Sequence, residues 1–300
     1  MRKEDLPAAH HLFRVAFGTF LGVPDPSSFG GDKDLVATRW HGQTGDAVVA
    51  EIDGQLAGSN MITNWGSFGF FGPLTTRPDL WNRGIAKALL AATMDVFDQW
   101  QIKDAGLFTF PHSVKHIGLY QKFGFWPRYL TALMSKEPVA TDIAWIGYSQ
   151  LTDHQRSDAL KACRTLADSI HAGLDLSAEI RSIFNQKLGE TVLVWDGDQL
   201  DAFGVCHTGP GTEGGSGCCY VKFAVARNGK AFDRLLSAIE SFAVSRGATR
   251  VEAGVNISRI HAYRHMLAGG YRTQVQGVAM QKPNAPAFNR EDAWVLDDWR

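Results

Sequence analysis

The stretch TTRPDLWNRGIAKALL at residues 75–90 decides the fold that we expect for this chain. Residues 70–76 are apolar enough for a buried strand, and Pro78 and Asp79 favour a turn after it. Beyond the turn, apolar residues recur at the spacing of one helix face. These residues are Ile85, Ala88, Leu89, Ala92 and Val96. The stretch therefore predicts a strand, a short loop and a helix.

The start of the predicted helix is suited to an anion. The first turn of a helix has amide N–H groups without partners inside the helix, and the helix dipole favours negative charge there. Gly84 and Ala86 would leave these amides uncovered, while Arg83 and Lys87 would add positive charge. This pattern indicates a diphosphate held by backbone amides. The alternative is an ordinary strand–loop–helix connection that happens to contain a glycine.

Length and composition indicate a globular chain of about two domains. The chain has 300 residues, of which 45% are hydrophobic and 20% charged. The formal net charge is -1 and no long charge run occurs, so neither nucleic acid nor an anionic membrane is expected as a partner. No apolar run is long enough to span a bilayer, and the first residues predict an amphipathic helix rather than a signal peptide. We therefore expect a cytoplasmic protein.

The cysteines do not indicate a metal site. Cys163, Cys206, Cys218 and Cys219 form no C-x-x-C pair and have no histidine at metal-ligand spacing. The side chains of the adjacent pair should point to opposite faces of a strand, which argues against a disulfide between them. Reduced thiols and no bound metal are the expectation.

The two halves of the chain repeat one order of predicted elements. The first half is predicted as helix 4–17, strands 46–53, 55–64 and 67–76, the helix that follows residue 84, strand 106–110, helix 114–123 and strand 128–135. The second half is predicted as helix 153–170, strands 191–195, 199–207 and 217–226, helix 230–246, strand 250–255 and a helix from there to about residue 268. A repeat of about 145 residues indicates two tandem units. Since residues 134–141 have the composition of a linker, we place the units at residues 1–137 and 142–300.

Two motifs of the first unit resemble those of the GNAT superfamily of acyl-CoA-dependent N-acyltransferases. Motif A of the superfamily is usually Q/R-x-x-G-x-G/A, and residues 81–86 read WNRGIA, with Trp81 in the place of Gln or Arg. Motif B has a tyrosine five residues before the aromatic of a Gly-Phe pair, and Tyr120 has this place in LYQKFGF at residues 119–125. The resemblance implies an α/β fold of two tandem GNAT-like units, each a mixed, splayed sheet flanked by helices.

The resemblance also implies where acetyl-CoA, the co-substrate, would bind. The backbone of the third strand would contact the pantetheine, and the loop and helix start would contact the diphosphate. Ser113 stands where many members of the superfamily have an asparagine. The implied cofactor-binding residues are Leu74, Thr75, Thr76, Asn82, Arg83, Gly84, Ile85, Ala86, Lys87 and Ser113.

Catalytic candidates follow from the same resemblance. Tyr120 would lie beside the thioester sulfur and return a proton to the departing thiolate, whereas a packed aromatic is the alternative interpretation. Glu51 lies on a strand that borders the cleft in the expected layout and would take the proton of the amine, whereas a solvent-exposed carboxylate is the alternative. His112 and His116 precede Tyr120 on its helix and are of a type that titrates near neutral pH, although capping histidines are more common than catalytic ones.

The counterpart of the phosphate loop in the second unit is altered. When residues 235–236 are aligned with residues 89–90, the segment VARNGK at residues 225–230 takes the place of the phosphate loop, and it lacks the R-G-x-A sequence. We therefore expect the second unit to bind no CoA thioester productively and to shape the acceptor cleft or cover the first sheet. The last segment, AWVLDDWR at residues 293–300, carries two tryptophans beside acidic residues and is expected to pack against the body.

These features predict an acetyl-CoA-dependent N-acetyltransferase whose first unit is active. Its acceptor would be an amine of a small molecule or peptide, and the chain would be a monomer or homodimer. The main alternative is a non-catalytic sensor that binds acyl-CoA or a metabolite. An aminoacyl- or peptidoglycan-type transferase is a third possibility, because such enzymes also use paired units of this fold, but the first half of such an enzyme should lack a phosphate cradle for CoA.

Overall fold

The computed structural model of the chain describes residues 1–42 and 44–300. The first unit consists of α1 (Leu6–Leu21), α2 (Val36–Gly42), β1 (Gly45–Ile52), β2 (Gln55–Trp65), β3 (Phe68–Thr76), α3 (Ile85–Gln99), β4 (Asp104–Thr109), α4 (Val114–Gln121) and β5 (Trp126–Lys136). The remainder consists of β6 (Ile146–Gly147), α5 (Asp153–Ile170), α6 (Ser177–Gln186), β7 (Gly189–Asp196), β8 (Gln199–Gly209), β9 (Gly215–Ala226), α7 (Gly229–Ser245), β10 (Arg250–Asn256), α8 (Ile260–Ala268), β11 (Arg272–Lys282) and β12 (Val295–Leu296).

All of these strands form one mixed sheet, in which the two units exchange a strand. The order is β1-β2-β3-β4-β11-β5-β10-β9-β8-β7-β6, and β12 pairs with β9. Strand β11 of the second unit lies between β4 and β5 and is antiparallel to both, while β5 of the first unit pairs with β10. The edges that each unit would expose are thereby paired with the other unit. The α/β class predicted from the sequence is confirmed.

Helices cover both faces of the sheet. In the first unit α3 and α4 pack on one face, around Phe71, Leu90 and Phe125, and α1 and α2 pack on the other. In the second unit α7 covers one face, and α5 and α6 cover the opposite one. Amphipathic spacing explains this arrangement, since the buried side chains of α3 recur on one side of the helix. They are Ile85, Leu89, Leu90, Thr93, Val96 and Phe97.

Strands β3 and β4 separate partway along their length, and this opening positions the cleft. They are parallel and pair between Phe68–Phe70 and residues 104–106. Beyond these pairs β3 continues to Thr76 beside β2, while β4 continues beside β11. A register shift opposite residues 60–62 of β2 bends β3 at the same point. The edge of β3 near Leu74 and Thr75 therefore faces an opening rather than a strand.

Several elements differ from those predicted. Helix α1 continues to Leu21, four residues past its predicted end, and α2, β6, α6, β11 and β12 were not predicted. β11 is exposed over its first half and buried over its second, so it lacks the even alternation of a half-buried strand. The four cysteines are buried free thiols, as expected. Within the described ranges, no helix combines the length and apolar character needed to cross a membrane, and no group of three or more His, Cys, Asp or Glu side chains is arranged to hold a metal ion.

Candidate active site

A cleft of about 1030 Å³ lies at the opening between β3 and β4. Its walls come from α1, β3, the start of α3, β4 and α4 of the first unit, and from residues of the second unit. Nine of the residues predicted from the sequence line this cleft. They are Leu74, Thr75, Thr76, Asn82, Gly84, Ile85, Ala86, Lys87 and Tyr120. The structure thus brings the predicted phosphate loop, the edge of β3 and the predicted acid together.

The start of α3 is open. Gly84 is the residue before the helix and has a φ of 84°, a left-handed conformation that glycine adopts without strain. Within the described residues no side chain caps this end, and a Cβ atom built at Gly84 would meet nothing within 4 Å. The first amides of the helix are therefore accessible to a ligand in the cleft.

The equivalent helix of the second unit, α7, has a closed start. The Asn228 side chain caps this helix by accepting a hydrogen bond of 3.0 Å from the amide of Ala231. The Trp294 ring lies so close to Gly229 that a Cβ there would be 2.8 Å from it. An anion at this end would have to displace both side chains.

The strand opening of the second unit is also filled. β9 and β10 pair over Arg250–Ala253, and β12 then pairs with β9 at Val295 and Leu296. Asp298 follows against β10, where a Cβ at Gly254 would overlap it. The last segment thus occupies the gap that corresponds to the opening between β3 and β4, and it carries residues 299–300 into the cleft of the first unit.

Tyr120, the predicted acid, is a buried residue of the cleft lining. It is 8% exposed, packs on Phe71 with ring centroids 5.8 Å apart, and lines the cleft. Burial raises the pKa of its hydroxyl to about 12, although a hydrogen bond with Thr109 acts in the opposite direction. The hydroxyl therefore keeps its proton at neutral pH and is able to donate it.

The histidines of α4 lie near the mouth of the cleft. Burial lowers the pKa of His116, and the charges of Lys115 and His112 lower it further. His116 lines the cleft and packs on Phe20, with ring centroids 4.9 Å apart. Its imidazole is thus a neutral group at physiological pH, whereas the His112 side chain is exposed.

Three predicted residues lie outside the cleft lining. Arg83 is exposed on the loop before α3, and Ser113 is a buried residue at the start of α4. Glu51 is on β1, where its carboxylate accepts a hydrogen bond of 3.0 Å from Arg2 and the side chain is 42% exposed. The structure therefore places the Glu51 carboxylate on the surface and gives it no contact with the cleft.

The sequence did not reveal a buried ionic cluster that joins the two units at the cleft. The Glu213 carboxylate accepts hydrogen bonds from Arg39 at 3.0 and 2.7 Å and from Lys222 at 2.7 Å. Lys222 also lies 3.2 Å from Glu179. Burial would raise the pKa of Glu213, but Arg39 and Lys222 hold it well below the usual range. A lysine within the apolar run at residues 218–226 was the available signal for this cluster.

Comparisons with known proteins agree with this fold. Residues 8–125 match the model of the acetyltransferase (GNAT) family. A search of curated proteins found no match. Similar solved structures include a protein from Pyrococcus horikoshii named "Putative Acetyltransferase", with a TM-score of 0.70 and 13% identity over 99% of this chain and 92% of that one.

Two further solved structures are similar over nearly the full length. A GCN5-related N-acetyltransferase from Sphaerobacter thermophilus has a TM-score of 0.58 and 15% identity over 94% of this chain and 93% of its own. A tandem GNAT protein from the clavulanic acid biosynthesis pathway has a TM-score of 0.55 and 11% identity over 93% and 95% of the two chains. At these identities the structures show the fold. Together with the family match, they confirm the resemblance to the GNAT superfamily and the arrangement of two units in tandem.

Proposed function

We propose that this protein is an N-acetyltransferase that binds acetyl-CoA in its first unit and transfers the acetyl group to an amine. The observation that carries the proposal is the open start of α3 beside the unpaired edge of β3. The start of α3 supplies unpaired backbone amides, which suit a diphosphate. The edge of β3 supplies unpaired backbone groups, which suit the amide groups of a pantetheine. The closed start of α7 shows that this openness is specific to the first unit.

Within this proposal each of the predicted cofactor-binding residues has a role. The amides of residues 84–87 hold the diphosphate, and the cations of Lys87, Lys115 and Lys122, which line the same cleft, add charge attraction. The backbone of Leu74, Thr75 and Thr76 hydrogen-bonds to the pantetheine. Asn82, Arg83 and Ser113 stand beside this site and are proposed as further contacts.

Acetyl-CoA supplies an acetyl group that is activated as a thioester. The acceptor nitrogen forms a bond to the acetyl carbon while the carbon–sulfur bond breaks. Tyr120 donates its proton to the leaving sulfur, and the nitrogen releases a proton. Glu51 does not contact the cleft, so in this proposal water in the cleft receives the proton of the nitrogen and returns a proton to the Tyr120 phenolate, which restores the hydroxyl. The protein contributes mainly by holding the two reactants in line and by excluding bulk water.

A non-catalytic sensor of acyl-CoA is the second candidate. It is favoured by one observation, namely that the predicted base Glu51 is paired with Arg2 on the surface. A sensor would bind acetyl-CoA at the same site and release no thiol in the presence of amines.

Thiol release from acetyl-CoA in the presence of a panel of amines tests the proposal. We expect Tyr120→Phe to lower kcat about 100-fold, in the range of general acid catalysis, and to change the Kd for acetyl-CoA less than twofold. Tyr148→Phe is the matched control, because Tyr148 is also a buried tyrosine but packs on Phe184 outside the cleft. Binding of acetyl-CoA without thiol release for any amine would favour the sensor, and undiminished turnover in Tyr120→Phe would remove the role assigned to Tyr120.

A further inference from the structure

The part of the cleft that acetyl-CoA does not need is built by α1 and the second unit. Under the proposed function, the start of α3 binds the diphosphate and β3 binds the pantetheine. The thioester sulfur then lies beside Tyr120. The lining residues that remain belong to the acceptor. They include the aromatic side chains of α1 and the loop after it, together with Lys33, Leu35, Glu213, Tyr220 and Arg300.

At this end the cationic side chains line the cleft, whereas the carboxylates that pair with them do not. Lys33 and Arg300 line the cleft, and their side chains are 26% and 28% exposed. Lys33 lies 3.4 Å from Glu252, and Arg300 lies 3.1 Å from Asp298. Neither carboxylate lines the cleft, and Asp298 is only 2% exposed. A ligand in the cleft therefore meets the cations first.

Arg300 is held in a fixed position that leaves donors free. Its guanidinium lies over the Tyr220 ring, 4.6 Å from the centroid. The Tyr220 hydroxyl donates a hydrogen bond of 3.0 Å to Asp298, which also accepts a hydrogen bond from the backbone amide of Arg300. Since a guanidinium has five N–H donors in a planar fork, Arg300 is able to contact Asp298 and a second carboxylate together.

The cleft offers a cationic acceptor little attraction. Within residues 1–42 and 44–300, Glu213 is the one residue with a carboxylate side chain that lines it. Both oxygens of that carboxylate already accept hydrogen bonds from Arg39, and Lys222 donates to one of them. The negative charge is thus neutralised within the buried cluster, whereas the nearby cations Lys33 and Arg300 face the cleft.

Another part of the lining is apolar and aromatic. Phe13, Phe17 and Phe29 pack on one another with ring centroids 5.3 to 5.7 Å apart, and all three line the cleft. Leu35 continues this surface. An acceptor that fits here has an apolar body of aromatic size on one side and an anionic group on the other.

We propose that the acceptor is an amine that also carries a carboxylate, of the class of apolar α-amino acids, and that Arg300 and Lys33 bind this carboxylate. The apolar side chain of the acceptor packs on the phenylalanines, and the amine points to the thioester. This inference rests on the proposed acetyl transfer and narrows its substrate. Polyamines and other acceptors of high positive charge are excluded by it.

The test compares acceptors that differ only in the carboxylate. Thiol release from acetyl-CoA is measured with three pairs: L-phenylalanine and 2-phenylethylamine, L-tryptophan and tryptamine, and L-leucine and isopentylamine, with spermidine as a polyamine. We expect kcat/KM to be at least about tenfold higher for the carboxylated member of the best pair, the factor typical of a hydrogen bond between charged groups. Preference for the decarboxylated members, equal rates or a preference for spermidine would overturn the inference and leave acetyl transfer standing.

Variants of the cations identify the carboxylate site. Arg300→Gln and Lys33→Gln should each raise KM for the amino acid. The ratio of kcat/KM for the amino acid to kcat/KM for its decarboxylated partner should therefore fall towards one. We expect kcat and the Kd for acetyl-CoA to change less than threefold. Arg164→Gln is the matched control, since this arginine is 70% exposed and lies outside the cleft lining. Because Lys33 lies in the loop before α2 and not in the segment that pairs with β9, its variant remains informative if Arg300→Gln lowers the stability. An unchanged preference in both variants contradicts the proposal. If no amine supports thiol release from acetyl-CoA, that result contradicts the proposed function as well.

Discussion

Gly84→Glu should abolish tight binding of acetyl-CoA while leaving the protein folded. The left-handed conformation of Gly84 costs a residue with a side chain about 1 to 2 kcal/mol, which lowers stability without unfolding a domain of ordinary stability. A carboxylate at this point would stand beside the bound diphosphate. Two unit charges about 4 Å apart repel by about 1 kcal/mol in water and about 4 kcal/mol near a protein surface. We therefore expect Kd to rise at least about tenfold.

Gly54→Glu is the control, because it introduces the same side chain at a glycine outside the cleft. Gly54 lies in the turn between β1 and β2, has a φ of 72°, and would also place a Cβ in open space. The substitution therefore carries the same backbone strain and the same change of charge as Gly84→Glu. Calorimetric titration with acetyl-CoA measures binding, and urea denaturation measures the free energy of unfolding. The reasoning is refuted if Gly84→Glu binds as the wild type does, or if both variants lose affinity equally.

Three further variants probe the unit junction and the second unit. Arg39→Met should lower the free energy of unfolding by about 3 kcal/mol in urea denaturation, because it removes one of two cations from the buried Glu213; a loss below about 1 kcal/mol would contradict this. Asn228→Ala should cost about 1 kcal/mol as a lost helix cap and leave the Kd for acetyl-CoA unchanged; a weaker Kd would place the ligand in the second unit. Burial lowers the pKa of His207 from 6.5 to about 3, so the unfolded chain takes up a proton that the folded chain refuses, and stability falls as pH drops below 6.5. Between pH 7 and 5 this costs about 2 kcal/mol, and His207→Asn should show a smaller loss over that interval in urea titrations at the two pH values; an equal loss would contradict the assignment.

The elements around the phosphate loop could be predicted because their signals are local. Apolar residues at helical spacing gave α3, and the Gly-Phe pair after Tyr120 gave the end of α4. Each of these elements is determined by a few neighbouring residues, so no distant contact was needed to infer it. In the second unit the same kind of signal gave α5, β7 to β10, α7 and α8, but not β6, α6, β11 or β12.

The acceptor end of the cleft could not be predicted, because distant parts of the chain build it. Lys33, Tyr220 and Arg300 meet only after β11 enters between β4 and β5 and the last segment fills the gap beside β9. Nothing in the local sequence specifies such a strand exchange. Glu51 illustrates the same limit, since the expected layout placed it near the cleft and the structure pairs it with Arg2 instead.

The altered loop at residues 225–230 correctly indicated that the two units differ. The sequence did not show what occupies the second site. That required the position of Trp294 over Gly229 and the pairing of β12 with β9, which are tertiary contacts of the final segment. The two-residue strand β12, which was not predicted, therefore helps to close the second unit, while the corresponding opening of the first unit stays accessible.

The number of acetyl-CoA molecules bound per chain tests most directly whether only the first unit binds a CoA thioester. Calorimetric titration of the wild-type protein should give a stoichiometry of one, because amides at the start of α3 are free and those at the start of α7 are capped and covered. Two bound molecules per chain, or one whose affinity is unchanged in Gly84→Glu, would contradict the account.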